Sequence, residues 1–304
     1  MTFETTVGRA RIRQVTERAR WAFSPTDIFP GVTASQISSA ATNLGPACID
    51  EDSHELILAI HTYVIELGNA IIVVDTGNGN GRHRPNLLAH HMFDTDYLDR
   101  LTKIIDLSAV TTVVNTHLHP DHCGWNTHCV DGVWVPTFPQ ANYLFREQEL
   151  ASLRSIVESG PVNGVEEDLV RMFEDSIRPV LTGARYATYR GQYTVAEFGD
   201  TTVVSVPSPG HTGGHSTIEV RSPRGTAVIS GDVIHHPIQL THSALCAVGD
   251  SDPSVAARVR VELLERAATG DVQLLTSHFP VDGPLRIRPL RQDSTRQCFE
   301  VVGR

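Results

Sequence analysis

The 304-residue chain has few cysteines, no run of basic residues and no long apolar segment, and each absence excludes a class of protein. Its five cysteines are odd in number and never stand in a CxxC pair, which argues against a disulfide framework and fits a reducing compartment. The longest wholly aliphatic run, Ala70–Val74, is too short to span a membrane. No apolar leader follows the first methionine, so we expect a cytoplasmic protein.

The charge balance is acidic, with 25 Lys and Arg residues against 35 Asp and Glu residues and a formal net charge of -10. Nucleic-acid binding depends on clustered Lys and Arg, so we expect a small-molecule substrate and neither a nucleic-acid nor a membrane partner. The sequence leaves open whether the protein forms a homodimer. With 40% apolar residues, residues 1–304 can form a single α/β domain with a substantial core.

Five segments have the composition of buried strands, and each ends shortly before a His or an Asp. The Gly68-Asn69 pair separates two β-rich runs and predicts a hairpin over residues 56–74. The five strands, residues 70–74, 109–114, 201–206, 226–229 and 272–276, lead to Asp75, His117, His211, Asp232 and His278. Chemistry in layered α/β proteins gathers where strand ends and loops converge, so we expect these side chains to meet.

Two further regions are predicted from the spacing of their apolar residues. Residues 147–182 are a largely helical insert that could cover the active site as a lid. Residues 1–53 are an N-terminal extension. Within it, the pattern of residues 9–18 predicts an edge strand or a short helix. Trp21 and its neighbours could cap the pocket, seal a dimer or simply pack.

The segment His117-Leu118-His119-Pro120-Asp121-His122 is the clearest functional motif. His117 and His119 are two positions apart on an extended stretch, so their imidazoles can meet one ion. Asp121 and His122 can then face a second ion. Imidazole and carboxylate ligands favour zinc, with manganese, iron and cobalt as competitors.

Together with His211, Asp232 and His278, this motif resembles the metallo-β-lactamase fold superfamily of dinuclear hydrolases, over roughly residues 56–280. The resemblance implies an α/β fold, an αββα sandwich in which two mixed sheets pack face to face with helices outside. It also implies two divalent metal ions with seven ligands. One ion would take His117, His119 and His211, the other Asp121, His122 and His278, and Asp232 would bridge both.

The resemblance also assigns supporting roles. Asp75 matches an early Asp that supports metal ligands by hydrogen bonding, the alternative being a simple strand-end Asp. Gly210-His211-Thr212-Gly213-Gly214-His215 matches a motif in which His211 is a ligand and His215 an orienting or structural histidine. Two cations sharing one water would lower its pKa toward neutrality and create a bridging hydroxide, with Asp121 or Asp232 moving the proton.

The substrate is less specified than the reaction. The long gap between His122 and His211 leaves room for the helical insert, which short acyl-homoserine lactonases lack and which resembles the longer branch that includes methyl parathion hydrolase. Those lactonases carry a tyrosine three residues after the bridging Asp, where this chain has His235. His235 could donate a hydrogen bond to a developing oxyanion, or it could pack or support a ligand.

We therefore expect a hydrolase of a small ester or lactone, with acyl-homoserine lactones among the candidates. A phosphotriesterase-like organophosphate hydrolase is the alternative within the same class. The alternative of another class is a non-catalytic metal-binding module.

Overall fold

The computed structural model describes residues 3–289 and 298–302, apart from the side chain of Asn43. The strands are β1 Phe3–Val7, β2 Ala10–Phe23, β3 Leu56–Leu67, β4 Ala70–Val74, β5 Thr112–Val114, β6 Thr127–Val130, β7 Val133–Pro136, β8 Asn142–Arg146, β9 Arg185–Tyr189, β10 Tyr193–Phe198, β11 Thr201–Pro207, β12 Ser216–Ser222, β13 Gly225–Ile229, β14 Val272–Leu275, β15 Ile287–Pro289 and β16 Phe299–Val301.

The helices are α1 Pro25–Ile28, α2 Ala34–Leu44, α3 Tyr97–Thr102, α4 Pro120–Cys123, α5 Glu147–Ser159, α6 Gly164–Met172, α7 Arg178–Gly183, α8 Ile238–Thr241 and α9 Pro253–Thr269. Short 3-10 turns cover Leu88–His90, Leu107–Ala109, Gly124–Asn126 and Gly231–Val233, and a π-helical turn covers Phe173–Ile177. No helix within the described part of the chain is long and apolar enough to cross a membrane.

Two mixed sheets form the centre of the molecule. The larger has seven strands in the order β1-β2-β3-β4-β5-β8-β9, and the smaller has five in the order β10-β11-β12-β13-β14. In the larger sheet β4, β5, β8 and β9 run parallel, and in the smaller sheet β13 and β14 do. Parallel neighbours deliver their carboxyl ends to the same edge, so the loops that follow β4, β5 and β13 start close together.

Alternate side chains of the strands divide the apolar residues into three layers. Ile65, Ile72 and Val114 face Ile218 and Ile229 of the other sheet and form the core between the sheets. The opposite face of the larger sheet packs on helices, and the opposite face of the smaller sheet packs on α9. The order of layers is therefore helix, sheet, sheet, helix, as an αββα sandwich requires.

The N-terminal residues are part of the larger sheet. β2 pairs with β1 on one side and with β3 on the other, so residues 9–18 form an interior strand and the expected edge position or short helix is wrong. The edge belongs to β1. Trp21, at 7% exposure, packs in a cluster with Phe29, Phe93 and Ile238.

A local hydrogen bond shortens one predicted strand, and a second segment forms the helices predicted for it. The strand expected over residues 109–114 is shorter, because the Asp106 side chain accepts from Ser108 N at 2.8 Å and caps the turn Leu107–Ala109. Residues 147–182 are helical as expected, and their inner face, including Leu150, Met172 and Ile177, joins the core against the larger sheet. A role for this insert as a lid stays a prediction.

A close backbone approach joins the loop after β4 to the turn after α4. A Cβ added to Gly124 would lie 1.8 Å from Asn78 O and 2.7 Å from Gly79 N, both backbone atoms. Gly124 N donates to Gly77 O at 2.7 Å, which fixes the same approach. Only glycine fits there without moving the loop away from α4.

We expect Gly124→Ala to lower the free energy of unfolding by about 3 kcal/mol, because the extra methyl group meets backbone that no rotamer change can move. Gly31→Ala is the control, since nothing lies within 4 Å of its added Cβ. Urea denaturation of both variants measures the effect. Equal midpoints for the two variants would show that the loop yields easily.

Candidate metal centre

The strand ends and the loops after them bring three groups of His and Asp side chains to one edge of the sandwich, and the third, His211, His235 and Asp250, shares His211 with the first. The ligand atoms within each group lie within 4.8 Å of one another. The first group, called cluster 1, contains His117, His119, His211 and Asp232, and the second, called cluster 2, contains Asp121, His122 and His278. These are the seven side chains that the sequence predicts as ligands, so all seven meet in space.

Backbone hydrogen bonds between the two sheets fix this edge. Ser216 N, at the start of β12, donates to Thr116 O at 2.9 Å, next to His117. Ala59 N of β3 donates to His278 O at 2.8 Å. The ligand-bearing segments are therefore joined across the sandwich rather than held by their own loops alone.

The Asp232 carboxylate lies between the two clusters. Its Oδ1 is 3.1 Å from His122 Nε2 and 3.0 Å from His278 Nε2. Its Oδ2 is 3.2 Å from His211 Nε2 and 3.7 Å from His117 Nε2. One oxygen thus faces each cluster, which is the geometry of a carboxylate that can bridge two cations.

The hydrogen bonds of cluster 2 show which ring nitrogens carry protons. His278 Nδ1 lies 2.8 Å from Ala59 O, and His122 Nδ1 lies 2.9 Å from Asp75 Oδ2. Both partners are acceptors, so each Nδ1 carries a proton, and in the neutral form of the ring each Nε2 then keeps its lone pair. The two Nε2 atoms are only 3.2 Å apart. Two facing lone pairs repel each other, and a cation between them would relieve that repulsion.

Cluster 1 has the same pattern. His211 Nδ1 donates to Asp250 Oδ1 at 2.9 Å, and His117 Nδ1 donates to Thr116 Oγ1 at 3.1 Å. In the neutral form of these rings the two Nε2 atoms carry no proton, and His211 Nε2 lies 2.9 Å from His119 Nδ1. His117 Nε2 is buried and has no hydrogen-bond partner among the described residues. The donor set fits a divalent cation in each cluster.

Burial keeps His117 and His119 of cluster 1 in the neutral form that coordinates metals. It lowers the pKa of His119 to about 3, with a further contribution from His211. It lowers the pKa of His117 well below its usual range, where the neighbouring His122 acts in the same direction. A neutral imidazole presents a lone pair at any pH near 7.

Asp75 supports both clusters from the end of β4. It accepts from Thr116 N at 2.7 Å and from Thr116 Oγ1 at 2.9 Å, in addition to its contact with His122. Its φ of 52° lies in the left-handed region, which costs about 1 kcal/mol or more for a residue other than glycine. Because Thr116 Oγ1 donates to Asp75, its oxygen accepts from His117, so one carboxylate orients a histidine in each cluster.

His215 orients Asp232 and has no free nitrogen for a metal. Its Nδ1 donates to Ser208 O at 3.0 Å, and its Nε2 accepts from Asp232 N at 2.9 Å. Burial lowers the pKa of His215 to about 3, so the ring stays neutral. Gly231 allows this approach, since its φ is 51° and an added Cβ would lie 2.5 Å from His215 Nε2.

His235 lies against cluster 1. Its Nε2 is 3.2 Å from Asp232 Oδ2, and its ring lies parallel to that of His278 with centroids 5.9 Å apart. Its Nδ1 is buried without a hydrogen-bond partner in the described part of the chain. His235 is therefore close enough to contact both Asp232 and a group bound there.

Two carboxylates that support the site are not among the residues that the sequence singles out. Asp250 accepts from His211 through Oδ1, while its Oδ2 accepts from Ala247 N at 2.9 Å and from Arg260 at 3.3 Å. Arg260 is fully buried and donates to Val233 O at 2.8 Å. Asp250 lies in an irregular loop, so no strand end marks it, and only its position just before α9 could have drawn notice.

Glu17, in the middle of β2, is the other such carboxylate. It accepts from Asn78 N at 2.6 Å, from Gly79 N at 3.2 Å and from Trp125 Nε1 at 2.7 Å. Burial raises its pKa to about 7, although these three N–H donors act in the opposite direction. Glu17 thereby ties the N-terminal strand to the loop after Asp75.

A family model of the metallo-β-lactamase superfamily matches residues 57–278 of the chain. The chain belongs to this superfamily. Its members are metal-dependent hydrolases, and the αββα sandwich and the two His/Asp clusters described above agree with that assignment. No curated protein matches the chain by sequence.

Solved structures of the superfamily share the fold over the whole chain at low sequence identity. The hydrolase AbOPH has a TM-score of 0.78 at 19% identity, covering 100% of this chain and 97% of its own. The dizinc quorum-quenching lactonase AidC has a TM-score of 0.74 at 19% identity, with the same coverage. A probable metal-dependent hydrolase from Staphylococcus aureus has a TM-score of 0.75 at 14% identity, covering 99% of each chain.

We expect Asp250→Asn to weaken metal binding at cluster 1 by ~10- to 100-fold. The neutral side-chain amide of Asn cannot make the charged hydrogen bond by which Asp250 orients the Nδ1–H of His211. Titration with Zn²⁺ against a chelating indicator measures the affinity. Asp94→Asn, at an exposed carboxylate, is the matched control. Equal affinities in the two variants would show that His211 is oriented without Asp250.

We expect Glu17 to make stability depend on pH. Its pKa in the fold lies above the usual 4.5, so the folded protein binds the proton more tightly and loses stability as the pH rises from about 4.5 to 7. Between pH 5 and pH 8 the wild type should lose ~2.5 kcal/mol relative to Glu17→Gln, which has no such proton. Urea denaturation of both proteins at the two pH values tests this. A constant difference would mean that the N–H donors hold Glu17 ionised.

Proposed function

We propose that clusters 1 and 2 each bind one divalent cation, with zinc favoured, and that the protein hydrolyses a small ester, a lactone being the leading candidate. The observation that carries the proposal is the Asp232 carboxylate with one oxygen in each cluster. His117, His119 and His211 would hold one ion, Asp121, His122 and His278 the other. Bound together, the two cations would supply a nucleophile at neutral pH by lowering the pKa of a shared water, and would polarise the scissile carbonyl.

Asp121 is suited to move a proton during the reaction. Its Oδ2 lies 3.6 Å from His122 Nε2 and 3.5 Å from His278 Nε2, within cluster 2. Its Oδ1 points to the other side, 3.9 Å from His90 Nδ1. Both oxygens of Asp232, by contrast, face the clusters. We therefore assign proton transfer to Asp121 and the bridging position to Asp232.

His235 lies beside Asp232, so its side chain can reach an oxygen of a substrate that binds at the two clusters. Its Nε2 is as close to Asp232 Oδ2 as His211 Nε2 is. A proton on that nitrogen can be donated to the carboxylate before the substrate binds and to a developing oxyanion afterwards. We propose that His235 takes this role, which a tyrosine three residues after the bridging Asp would serve in the short acyl-homoserine lactonases.

The choice of a lactone as the leading substrate rests on similar solved structures. AidC is described as a lactonase in complex with a product, an N-acyl-L-homoserine, and its alignment covers 100% of this chain, including residues 147–182. A second structure, an N-acyl homoserine lactone hydrolase, has a TM-score of 0.59 at 15% identity, covering 96% of this chain and 98% of its own. Residues 147–182 therefore do not argue against a lactone substrate.

A substrate panel tests the proposal. The protein loaded with Zn²⁺ is offered an N-acyl homoserine lactone, an aryl ester, a phosphotriester and a β-lactam, and we expect the highest kcat/KM for the lactone. Asp232→Asn should bind less metal than the wild type. Its kcat/KM should fall by more than ~100-fold, which is the loss expected when a residue that only supports a ligand is removed. Asp94→Asn is the matched control and should match the wild type.

The other outcomes are equally specific. A preference for the phosphotriester would replace the lactone by an organophosphate substrate. A protein that binds two metal ions and hydrolyses nothing in the panel would be a non-catalytic metal-binding module. Unchanged metal content and turnover in Asp232→Asn would contradict the ligand assignment itself.

A further inference from the structure

His90 borders the candidate metal centre, although it is outside both clusters. It ends the turn Leu88–His90, and its Nδ1 lies 3.9 Å from Asp121 Oδ1. Its ring packs edge-on against Trp21, with centroids 5.2 Å apart, and the Trp21 ring lies 6.3 Å from that of His278. The His90 side chain keeps 17% exposure, so a molecule in solution can reach it.

The hydrogen bonds of Asn78 determine which nitrogen of His90 carries the proton. Asn78 Nδ2 donates to His90 O at 3.2 Å and to Gly79 O at 3.3 Å, so the amide nitrogen faces these carbonyls and Oδ1 faces the ring. Asn78 Oδ1 lies 2.9 Å from His90 Nδ1. An amide oxygen only accepts, so His90 Nδ1 is the donor. In a neutral imidazole Nε2 then keeps its lone pair.

Asn78 itself is held firmly. Its backbone N–H donates to Glu17 at 2.6 Å, and its carbonyl lies against Gly124 at the close approach described above. His90 Nε2 has no hydrogen-bond partner among residues 3–289 and 298–302. The His90 ring is therefore held by Asn78 at Nδ1 and packed against Trp21. Its Nε2 is an acceptor that the described part of the protein does not use.

We propose that His90 binds the substrate by accepting a hydrogen bond, through Nε2, from an N–H or O–H group next to the scissile carbonyl. The inference rests on the proposed function, because His90 lies beside Asp121 of cluster 2, within reach of a group attached next to a carbonyl that binds there. The substrate class is narrowed to lactones or esters that carry such a donor, for example an acylamino lactone. A plain lactone lacks the donor.

The experiment compares a substrate that has this donor with an analogue that lacks it. They are N-hexanoyl homoserine lactone and its analogue with CH₂ in place of the amide N–H. The wild type should prefer the amide by ~tenfold or more in kcat/KM, the worth of one hydrogen bond in a site that excludes water. In His90→Phe, which keeps a ring against Trp21, the preference should fall to about one.

Binding gives a second readout that does not depend on turnover. The γ-lactam that corresponds to the amide substrate should bind ~tenfold more weakly to His90→Phe than to the wild type, as measured by calorimetry. His90→Gln keeps an acceptor oxygen on a side chain of similar reach and should recover part of the preference and affinity. His83→Phe, at an exposed histidine of the same segment, is the matched control and should keep both.

The outcomes separate this inference from the proposed function. A wild type inactive on both lactones overturns both. Activity on both without a preference, or an unchanged preference in His90→Phe, overturns only the role of His90. An equal loss on both substrates, together with a lower unfolding temperature, would show that His90 supports Trp21 and does not bind substrate, and it also overturns the inference.

Discussion

The repulsion between lone pairs at the candidate metal centre is the constraint on which the rest of the structure depends. Four histidines have their Nδ1 protons committed to Asp75, Thr116, Asp250 and the carbonyl of Ala59, so their Nε2 lone pairs converge on a single carboxylate, Asp232. Such an arrangement is costly without cations and favourable with them. The fold meets this cost by fixing every proton on the outer side of the rings.

The two sheets supply the rigidity that this arrangement needs. Parallel strands end at one edge, and backbone hydrogen bonds join the sheets there, next to His117 and His278. The supporting carboxylates come from separate regions, with Asp75 at a strand end, Asp250 in a loop, Glu17 in the middle of the N-terminal strand and Glu149 in α5. The N-terminal strand thus takes part in the site through Asn78, whose backbone N–H donates to Glu17. The side-chain oxygen of Asn78 accepts from His90 Nδ1 and so determines which nitrogen of His90 carries the proton.

The meeting of the seven His and Asp side chains and the sandwich could be predicted because their signals are local. His117 to His122 lie within six positions, and each later His or Asp of the two clusters follows a short run of buried β-branched residues. The pattern over residues 109–114 predicts a longer strand than the one that forms, because an Asp side chain can cap a turn where apolar residues continue. The edge position predicted for residues 9–18 is wrong because nothing in one sequence shows that another strand will cover them.

The sequence by itself determined the family of metal-dependent hydrolases, since the identity and order of the His and Asp residues along the chain match it. Only the tertiary structure decided how each ring is protonated, because a histidine's tautomer depends on its hydrogen-bond partner, and the partners of His211 and His90 come from distant parts of the chain. The same holds for Glu17, a carboxylate in an ordinary strand whose donors lie about sixty positions away. Burial and contact across the sandwich, which no local pattern encodes, give these residues their roles.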